Sequence, residues 1–424
     1  MADNTPHMSW KIKSHLKQLV REEEGTVIKD FGGKRSIVLV YPNTYFVGMS
    51  NLGMHNIYRL LNEREDTACE RAFLPEKNLI AEHKRTNTPV LSVESQKPIS
   101  EFQKIAFSIA FENDFKNISA VLELSNIPVD KTERGGRYPE IIAGGAAVTL
   151  NPKLFEKICD KIVSGDFEAS SAEKKPARSA VWTNNTEFGS MHLVEMQRGC
   201  PHRCGFCAAP IIYHPFKQFS KEEIMEAINF GLPHRKKIGL IGGDVLAHPD
   251  FEEIAEYIHS KGGSFSPSSV RADRMTPSIA ALLRKSGHKT VTLAPESGSE
   301  NLRKTIGKNI PDEKFFKAAE ILSSNGIKQI KLYFMIGLPG ETDKDIEAIG
   351  DFINEMNKAD VGLKISVNPF VPKNKTQFQD ERFEGVAELK RKISLLKKVL
   401  SKSRCRAVKF ESPISALHEY KMQH

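Results

Sequence analysis

Three cysteines that stand within eight residues of one another form the strongest chemical signal in the sequence. Cys200, Cys204 and Cys207 are four and three positions apart, so three thiolates can reach one metal centre from a single loop. Thiolates suit an iron–sulfur cluster or zinc. A structural zinc would need a fourth ligand, which His202 or His214 could supply. A cubane cluster on three thiolates instead leaves one iron open to the amine and carboxylate of a bound molecule.

The cysteine loop follows the first of six predicted strands. β-rich runs alternate with helical patterns through the second half of the chain, which is typical of parallel α/β sheets. The strands are predicted at 191–197, 237–243, 264–270, 290–296, 330–336 and 363–369. Helices are predicted between them at 221–230, 251–261, 277–285, 312–325 and 342–357. Six βα units are fewer than the eight of a closed barrel, so the sequence predicts a partial, open (β/α)6 barrel with its active face at the carboxyl ends of the strands.

Glycines and charged residues stand where the next three of these strands end. Gly242-Gly243-Asp244 follows the second strand, Ser269 and Arg271 follow the third, and Glu296 ends the fourth. An arginine suits a carboxylate, and a glutamate suits an ammonium or a ribose hydroxyl. Each polar residue alone could equally form a salt bridge at the rim of the barrel. Their shared position at one rim favours a binding site.

The CxxxCxxC spacing, with Phe206 before the last cysteine, resembles the signature of radical S-adenosylmethionine (SAM) enzymes. The resemblance implies a 4Fe–4S cluster on the three cysteines, which are then both metal ligands and catalytic residues. It implies SAM binding by Phe206, Gly242, Gly243, Asp244, Ser269, Arg271 and Glu296, although Asp244 stands where the usual motif has glutamate. In such enzymes one electron cleaves SAM to methionine and a 5′-deoxyadenosyl radical, which abstracts hydrogen from an unreactive carbon, so water and oxygen must be excluded.

The first half of the chain has its own alternation of strands and helices. Strands are predicted at 36–42, 104–111, 139–145 and 161–167, and a helix at 51–64. Glycines follow several of these strands. This pattern predicts a doubly wound, Rossmann-like α/β domain over 31–170, with its ligand at the carboxyl ends of the strands.

Three runs of this half, 41–55, 111–114 and 143–149, resemble the cobalamin-binding domain of many radical SAM methyltransferases, and 165–168 stands in place of that family's later glycine–glutamate turn. The resemblance implies that cobalamin is contacted by Tyr45, Gly48, Met49, Ser50, Leu52, Gly53, Phe111, Glu112, Asn113, Gly144, Gly145, Ala146, Thr149 and Glu168. The motif that supplies a histidine ligand below cobalt in other cobalamin proteins is absent, and His55 lies in the wrong context for it. Met49, Leu52 or Met54 is expected to cover that face instead.

Together the two resemblances imply a cobalamin-dependent radical SAM methyltransferase that C-methylates an unactivated sp3 carbon. Cobalamin would take a methyl group from one SAM and deliver it to a substrate radical made with a second. Among compact members of this family, the chain resembles the glutamine C-methyltransferase of methyl-coenzyme M reductase. The expected partners are therefore a protein or peptide substrate and an electron donor for the cluster.

Composition sets the broad class. The chain has 424 residues with 61 basic and 53 acidic side chains, a net charge of +8, and 40% apolar residues, which indicates two or three globular domains. No apolar run is long enough for a membrane span, and 1–20 has no secretory pattern, so a cytoplasmic protein without a membrane partner is expected. The predicted divisions are an extension (1–30), the cobalamin domain (31–170), a polar linker (171–190), the barrel (191–380) and a helical region (381–424).

The C-terminal region combines an apolar helical pattern with a run of positive charge. Between 390 and 409 there are nine basic residues and no acidic ones. This segment is either the solvated face of an amphipathic helix or a patch for an acidic partner or a phosphate.

Three further functions fit parts of the sequence. A methylthiotransferase acting on tRNA or a ribosomal protein would carry a second cluster on three further cysteines, but the first 190 residues contain only Cys69 and Cys159, so neither that cluster nor a nucleic-acid partner is expected. A cobalamin-dependent radical SAM cyclase and a non-catalytic zinc or nucleotide-binding adaptor are also compatible with the motifs.

Overall fold

The computed structural model of the protein describes residues 8–165, 175–405 and 407–423. The chain divides into two units, Met1–Leu193 and Val194–His424. Both are α/β assemblies built mainly on parallel strands, as the alternation of β-rich and helical runs predicts, and the second also has an antiparallel pair at 197–198 and 217–218. No helix in these described ranges is both long and apolar enough to span a membrane.

The first unit is built on a five-stranded sheet. Its strands are β1 (Arg35–Tyr41), β2 (Thr67–Phe73), β3 (Lys104–Ser108), β4 (Glu140–Gly144) and β5 (Lys161–Val163). Its helices are α1 (Trp10–Arg21), α2 (Tyr45–Gly48), α3 (Leu52–Glu63), α4 (Lys77–Thr86), α5 (Phe115–Leu124) and α6 (Ala146–Leu150).

The strands of this sheet are all parallel and lie in the order β2-β1-β3-β4-β5. The chain therefore steps outward to β2, returns past β1 and continues on the other side, which is the doubly wound order with its switch point between β1 and β3. The sequence did not predict β2, since the charged Glu70 and Arg71 interrupt its apolar pattern. All seven residues of β2 are nevertheless buried.

The segment predicted as a polar linker at 171–190 is packed in its described part. Val181 and Trp182 are buried, and Trp182 exchanges backbone hydrogen bonds with Glu24. The indole of Trp182 also donates to His192 at 3.0 Å. A short apolar run inside a polar composition thus makes this segment part of the first unit rather than a free connection.

The second unit begins within strand β6 (His192–Glu195). Its other strands are β7 (Gln197–Arg198), β8 (Lys217–Gln218), β9 (Lys237–Ile241), β10 (Ser264–Pro267), β11 (Thr290–Glu296), β12 (Gln329–Ile336), β13 (Gly362–Pro369) and β14 (Ala407–Phe410). Its helices are α7 (Ala209–Ile212), α8 (Lys221–Gly231), α9 (Phe251–Ser260), α10 (Pro277–Lys285), α11 (Glu300–Thr305), α12 (Asp312–Ser324), α13 (Asp343–Met356), α14 (Val386–Leu400) and α15 (Pro413–Gln423).

All six predicted barrel strands form, but they belong to two hydrogen-bonded sheets. One has the order β10-β9-β6 and the other β11-β12-β13-β14. The predicted third strand is cut short at Pro267, whose ring nitrogen cannot donate to a neighbouring strand. The C-terminal region predicted as helical contains α14 and α15, but it also contains β14, which pairs parallel to β13 and which the sequence did not predict.

In strand β12, the alternation of apolar and polar residues determines which side chains face the core. Its residues alternate between buried and half-buried positions, with Ile330, Leu332, Phe334 and Ile336 in the core. This period-2 alternation is the signature of a strand that presents two different faces. The helices α8 and α13, both predicted, start at capping boxes that satisfy their first free N–H groups.

Candidate active site

The three cysteines of the motif lie in the loop between β7 and α7, all partly buried and none in a disulfide. Burial raises the pKa of Cys204 to about 11 and also raises the pKa of Cys200 and Cys207. A thiolate at these positions therefore needs a strong positive charge beside it. A bound metal centre supplies such a charge in exchange for the thiol protons.

Two glycines allow this cysteine loop to pack closely on neighbouring backbone. Gly199 has φ +81°, and a Cβ there would lie 2.5 Å from the carbonyl oxygen of Tyr213. Gly205 donates its N–H to the carbonyl of Ile306 at 2.9 Å and accepts from the N–H of Phe378 at 3.2 Å. Backbone contacts on several sides thus fix the loop that carries the thiols.

The glycine turn after β9 lies directly against the cysteine loop. A Cβ on Gly243 would lie 2.5 Å from the carbonyl oxygen of Gly199 and 2.8 Å from Cβ of Cys200, so no side chain fits at this position. The carbonyl of Gly242 accepts hydrogen bonds from the hydroxyls of Ser268 and Ser269, at 3.1 and 3.0 Å. The hydroxyl of Ser269 therefore supports the turn.

Asp244 ends this turn with a buried carboxylate that is only half satisfied. Its Oδ2 lies 2.7 Å from Nε2 of His202 and 3.6 Å from Nε of Arg271. Its Oδ1 is buried and has no hydrogen-bond partner among the described residues. An unpaired buried carboxylate oxygen is costly, so this atom is suited to the ammonium group of a ligand.

Arg271 has a forked contact with its own loop. Its Nε and Nη2 donate to the two carboxylate oxygens of Asp273 at 3.0 and 2.9 Å. Burial lowers the pKa of Arg271, but the hydrogen bonds and charge of Asp273 outweigh it and the pKa is raised. Asp273 therefore orients the guanidinium that was predicted to meet the SAM carboxylate.

Glu296 ends β11 and forms an ion pair. Its Oε1 accepts from Nζ of Lys308 at 2.8 Å, and both side chains are largely buried. Its Oε2 accepts no hydrogen bond from the described residues, so this oxygen is the one suited to a ribose hydroxyl or an ammonium.

Phe206 belongs to an apolar cluster beside the thiols. It packs with Leu302, Ile306, Leu338, Phe370, Phe378 and Met335. A Cβ on Gly205 would lie 2.7 Å from the ring of Phe378, so this ring covers the cysteine loop closely. An apolar wall of this kind excludes water from one side of the loop.

The donor set fits a cluster better than a single ion. Across the ranges that the structure describes, no three His, Cys, Asp or Glu side chains are arranged to hold one metal ion. Zinc bonds to sulfur at about 2.3 Å and needs its ligands drawn tightly together. The three thiols, the close-packed glycine turn and the unpaired Oδ1 of Asp244 together suit a cubane cluster with an amino-acid group at its open iron.

In the first unit, several residues predicted to contact cobalamin lie at the carboxyl edge of the sheet. Gly145 follows β4 with φ +113°, and a Cβ there would lie 2.5 Å from the carbonyl oxygen of Ile109 after β3. The hydroxyl of Thr149 donates to the carbonyl of Gly145 at 2.9 Å and accepts from the N–H of Gly165 at 2.9 Å. This edge is shaped for close backbone approach near the sheet's switch point.

Two of the predicted cobalamin contacts have side chains that are used elsewhere. Tyr45 is buried and donates its hydroxyl to Glu23 at 2.5 Å. Met49 is buried with its sulfur 3.3 Å from Nη1 of Arg71. These side chains therefore belong to the core of the unit, which removes Met49 as a side chain that could cover the lower cobalt face.

His55 is also committed within the first unit. Its Nε2 lies 2.9 Å from the carbonyl oxygen of Met49, and its Nδ1 accepts from the N–H groups of Ala180 and Val181 at 3.3 and 3.4 Å. Burial lowers the pKa of His55 to about 4. The imidazole is therefore neutral and holds the segment that follows residue 175.

The other predicted cobalamin contacts fall into three groups by exposure. Gly48, Glu112 and Met54 are buried, Phe111 and Gly53 are exposed, and Ser50, Leu52, Asn113, Gly144 and Ala146 are half-buried. Ser50 accepts from the N–H of Glu187 at 2.8 Å. Glu168 lies outside the described residues.

Sequence reasoning missed the contacts of three side chains that border the site. The sequence suggests His202 only as a zinc ligand, yet it contacts Asp244. Gln197 accepts from the N–H of Asp244 at 3.1 Å, and Lys308 pairs with Glu296. The sequence places His202 inside the cysteine motif and Lys308 directly after a glycine. These positions suggest that both residues lie near the site, but neither indicates the residue it contacts.

Two family models match the chain. Residues 53–187 match the model for radical SAM proteins, N-terminal, and residues 194–353 match the radical SAM superfamily. The uncharacterized protein MJ0966 of Methanocaldococcus jannaschii is 27% identical over 413 residues, covering 89% of this chain and 86% of that protein. A tRNA-2-methylthio-N(6)-dimethylallyladenosine synthase of Anaplasma phagocytophilum is 25% identical over 267 residues, covering 55% of this chain and 56% of the synthase.

Two solved structures share the fold at low identity. The radical SAM methyltransferase TsrM from Kitasatospora setae has a TM-score of 0.55 and 12% identity, covering 78% of this chain and 73% of TsrM. The cobalamin-dependent radical SAM enzyme OxsB, solved with aquacobalamin and SAM, has a TM-score of 0.55 and 14% identity, covering 92% of this chain and 61% of OxsB. The family match over residues 194–353, which includes the cysteine loop, identifies a radical SAM domain in the second unit, and the fold of the chain is like those of TsrM and OxsB.

Proposed function

We propose that the protein is a cobalamin-dependent radical SAM methyltransferase that C-methylates an unactivated sp3 carbon of a protein or peptide. The observation that carries the proposal is the packing of Gly243 on the loop of Cys200, Cys204 and Cys207. Asp244 and Arg271 lie beside this contact with groups suited to an amino acid's ammonium and carboxylate.

Different residues of the second unit would hold the cluster and SAM. Cys200, Cys204 and Cys207 would hold the cluster, which when bound supplies the electron that cleaves SAM. Asp244 would accept from the ammonium of SAM through its unpaired Oδ1, and Arg271, oriented by Asp273, would bind the carboxylate. The apolar wall around Phe206 would exclude water.

Support for cobalamin comes from the first unit. Its sheet has the doubly wound order, and Gly145 at its carboxyl edge packs closely on the backbone of Ile109. OxsB, which shares the fold, was solved with aquacobalamin. Since Tyr45 and Met49 are committed to the core, backbone groups and the exposed ring of Phe111 are the stronger candidates for contact. When bound, cobalamin supplies a carrier for the methyl group.

The proposed substrate is a protein or peptide, with a glutamine of methyl-coenzyme M reductase as the specific candidate. Its support is the sequence resemblance and the basic balance of the chain, which suits an acidic partner. Mass spectrometry after incubation with SAM, a reductant and candidate peptides tests the assignment. The expected product carries one added methyl group on carbon, and unmodified glutamine in every peptide would contradict the candidate.

A methylthiotransferase is a second candidate because several relatives carry that name. Besides the tRNA enzyme, the ribosomal protein uS12 methylthiotransferase of Pseudothermotoga lettingae is 24% identical over 224 residues, covering 48% of each chain. A second cluster is hard to accommodate in the first unit, where Cys69 and Cys159 are both buried and a third cysteine is missing from the first 190 residues.

Metal analysis of the anaerobically purified full chain separates these functions. A methyltransferase of the proposed kind should contain about four irons and one cobalt per chain, whereas a methylthiotransferase should contain about eight irons. Replacing Cys200, Cys204 and Cys207 together by alanine should remove the iron and the SAM cleavage. Iron and turnover that persist in this variant would overturn the proposal, and Cys405→Ala is the matched control.

A further inference from the structure

Lys308 stands at the junction between the glutamate of β11 and the cysteine loop. Its Nζ donates to Oε1 of Glu296 at 2.8 Å, and the side chains are only 12% and 13% exposed. An ion pair this well shielded interacts more strongly than a surface pair, because little solvent screens it. The partner of Lys308 is therefore fixed by electrostatics as well as by a hydrogen bond.

Glu296 is held in an unusual backbone conformation. It has φ +68°, in the left-handed region that residues with a side chain rarely adopt, and the pairing of β11 with β12 shifts register between Leu293 and Glu296. Such strain persists only where the surroundings hold it, and it recurs at binding sites. The bulge re-aims the side chain, and Lys308 then anchors one of its two oxygens.

The segment that carries Lys308 is pinned by a buried arginine. Arg303 donates to the carbonyl oxygens of Ser297 at 2.8 Å and Ile310 at 3.1 Å, and it also pairs with Asp312. These contacts tie both ends of the connection between β11 and α12. Lys308 is thus presented by a rigid loop rather than by a mobile one.

The same segment lies on the cysteine loop. A Cβ on Gly307 would lie 2.8 Å from the carbonyl oxygen of Arg203 and 3.4 Å from Cα of Cys204, and the N–H of Gly205 donates to Ile306. Lys308 directly follows Gly307, so its side chain starts beside the loop that carries Cys204 and Cys207. Glu296, bonded to Lys308, brings a negative charge to the same ion pair. A cation is therefore built into the surroundings of two of the three thiols.

We propose that Lys308 is a positioning residue with two effects: it fixes Glu296 for the ribose or ammonium of SAM, and its charge beside Cys204 and Cys207 raises the reduction potential of the cluster. This inference rests on the proposed function. A positive charge near a cluster favours the reduced, more negative form, and groups around the ligands commonly set the potential of iron–sulfur centres. Removing the charge should therefore make the cluster harder to reduce.

The test uses the full chain, reconstituted anaerobically with iron and sulfide, in four forms. They are the unmodified protein, Lys308→Gln, Lys308→Arg and Lys304→Gln. Lys304 is the matched control because it lies on the same connection but is 59% exposed and pairs with Glu300 at the surface. The readouts are the midpoint potential of the cluster from a redox titration followed by electron paramagnetic resonance, and the affinity for SAM.

Lys308→Gln should lower the potential and weaken SAM binding by about tenfold, the cost of losing a charged hydrogen bond. Lys308→Arg should restore most of both, and Lys304→Gln should change neither. Glu296→Gln provides an independent check, because removing the negative charge should raise the potential while still weakening SAM binding. A potential that does not rank Glu296→Gln above the unmodified protein, and that above Lys308→Gln, would overturn the inference.

The outcome also separates this inference from the proposed function. If the unmodified protein takes up no cluster, the proposed function fails. If it takes up a cluster and Lys308→Gln has the same potential and SAM affinity, only the role of Lys308 fails. Should Lys308→Gln not fold, the rise in potential expected for Glu296→Gln, together with its weaker SAM binding, still decides the matter.

Discussion

Both units bury a cation between two glutamates, but the two arrangements differ in how completely the carboxylates are satisfied. In the first unit Arg71 lies between Glu23 and Glu94, with the arginine side chain 2% exposed and both carboxylates 0% exposed. In the second unit Lys392 lies between Glu341 and Glu384. A guanidinium presents five N–H donors in a fixed plane, whereas an ammonium presents three from one atom, so the arginine can bond more of the carboxylate oxygens around it.

In the arginine network, formed by Arg71, Glu23 and Glu94, all four carboxylate oxygens accept a hydrogen bond, and we call this network closed. The guanidinium of Arg71 donates two hydrogen bonds to Glu23, at 2.8 and 2.7 Å, and one to Oε1 of Glu94 at 2.7 Å. The backbone N–H of Arg71 donates to Oε2 of Glu94 at 2.7 Å. Tyr45 and Thr26 add further bonds to Glu23. Burial raises the pKa of both glutamates. Arg71 outweighs this effect for Glu23, whose pKa is lowered, but not for Glu94, whose pKa is raised.

In the lysine network, formed by Lys392, Glu341 and Glu384, one buried carboxylate oxygen has no partner in the part of the chain that the structure describes, and we call this network open. Lys392 donates to Oε2 of Glu341 at 2.9 Å and to Oε1 of Glu384. The Oε2 of Glu384 is buried without a partner among the described residues. One ammonium thus faces two carboxylates, and burial raises the pKa of Glu341 to about 7 in spite of Lys392. Both networks place one cation between two carboxylates, but only the lysine network has a buried carboxylate oxygen without a partner among the described residues.

Each network also joins parts that are distant in sequence. Glu23 follows α1, so Arg71 binds the N-terminal segment to the edge strand β2. Lys392 belongs to α14 and reaches the loop after β12, where Glu341 accepts the N–H of Gly337 at 2.7 Å. Breaking either network should therefore loosen one unit and leave the other unchanged.

The largest effect is expected for Arg71→Met, which leaves Glu23 and Glu94 buried without their counter-charge. Breaking a buried pair in this way costs about 3–5 kcal/mol. Hydrogen exchange of the full chain should show faster exchange in β1, β2 and α1, with no change in peptides of the second unit. Arg35→Met is the control, because its pair with Asp66 is exposed and should contribute less than about 1 kcal/mol. Equal losses in the two variants would contradict the closed network.

Much of the fold was predictable because its signals are local. The periodic apolar runs predicted helices α3, α8, α10, α12 and α13 to within about two residues. Strand β2 was missed because Arg71 in its middle reads as a surface residue until Glu23 and Glu94 are brought to it from 48 and 23 positions away. Strand β14 was missed because its short run, Ala407–Phe410, follows a strongly basic helical pattern.

In the candidate site, too, the features that depend on local sequence were predictable, and the contacts between distant residues were not. The spacing of Cys200, Cys204 and Cys207 is a local property of one loop, so the sequence alone indicates the chemistry. The contacts of Asp244 with His202 and of Glu296 with Lys308 join positions 42 and 12 residues apart. Such pairings depend on how the strand ends converge, which no local pattern encodes. In the first unit, the burial of Tyr45 and Met49 likewise follows from the arginine network.

A smaller loss is expected for Lys392→Met. The cost should be about 2–4 kcal/mol at pH 8, below that of Arg71→Met, because Glu384 is 27% exposed and can be hydrated. At pH 5 the cost should shrink, since Glu341, with a pKa of about 7, is already protonated there and loses less when the ammonium is removed. Exchange rates of peptides from α14 and the β12–α13 loop measure the effect. Lys390→Met, at an exposed position on the same helix, is the control, and an equal cost at the two pH values would contradict the open network.

A pH dependence is expected from Glu341 alone. Its pKa rises from 4.5 to about 7 on folding, so the folded protein binds more protons and loses stability as the pH rises through this window. The loss should be about 3 kcal/mol, present in full above pH 7 and absent below pH 4.5. Comparing the unfolding of the second unit in the unmodified protein and in Glu341→Gln isolates this contribution. A pH profile that is the same in both proteins would show that Glu341 is not the titrating group.

The smallest effect is expected for Glu384→Gln, which removes the excess charge but keeps an oxygen for Lys392. The negative charge of Glu384 contributes to the raised pKa of Glu341, so without it that pKa should fall and the pH dependence of the second unit should weaken. Stability at pH 8 should change by less than about 1 kcal/mol, because the loss of a charged hydrogen bond is offset by relief of the unpaired Oε2. Glu94→Gln in the first unit is the matched variant and should cost more, since both oxygens of Glu94 are bonded by Arg71. A larger loss for Glu384→Gln than for Glu94→Gln would reverse the comparison between the two networks.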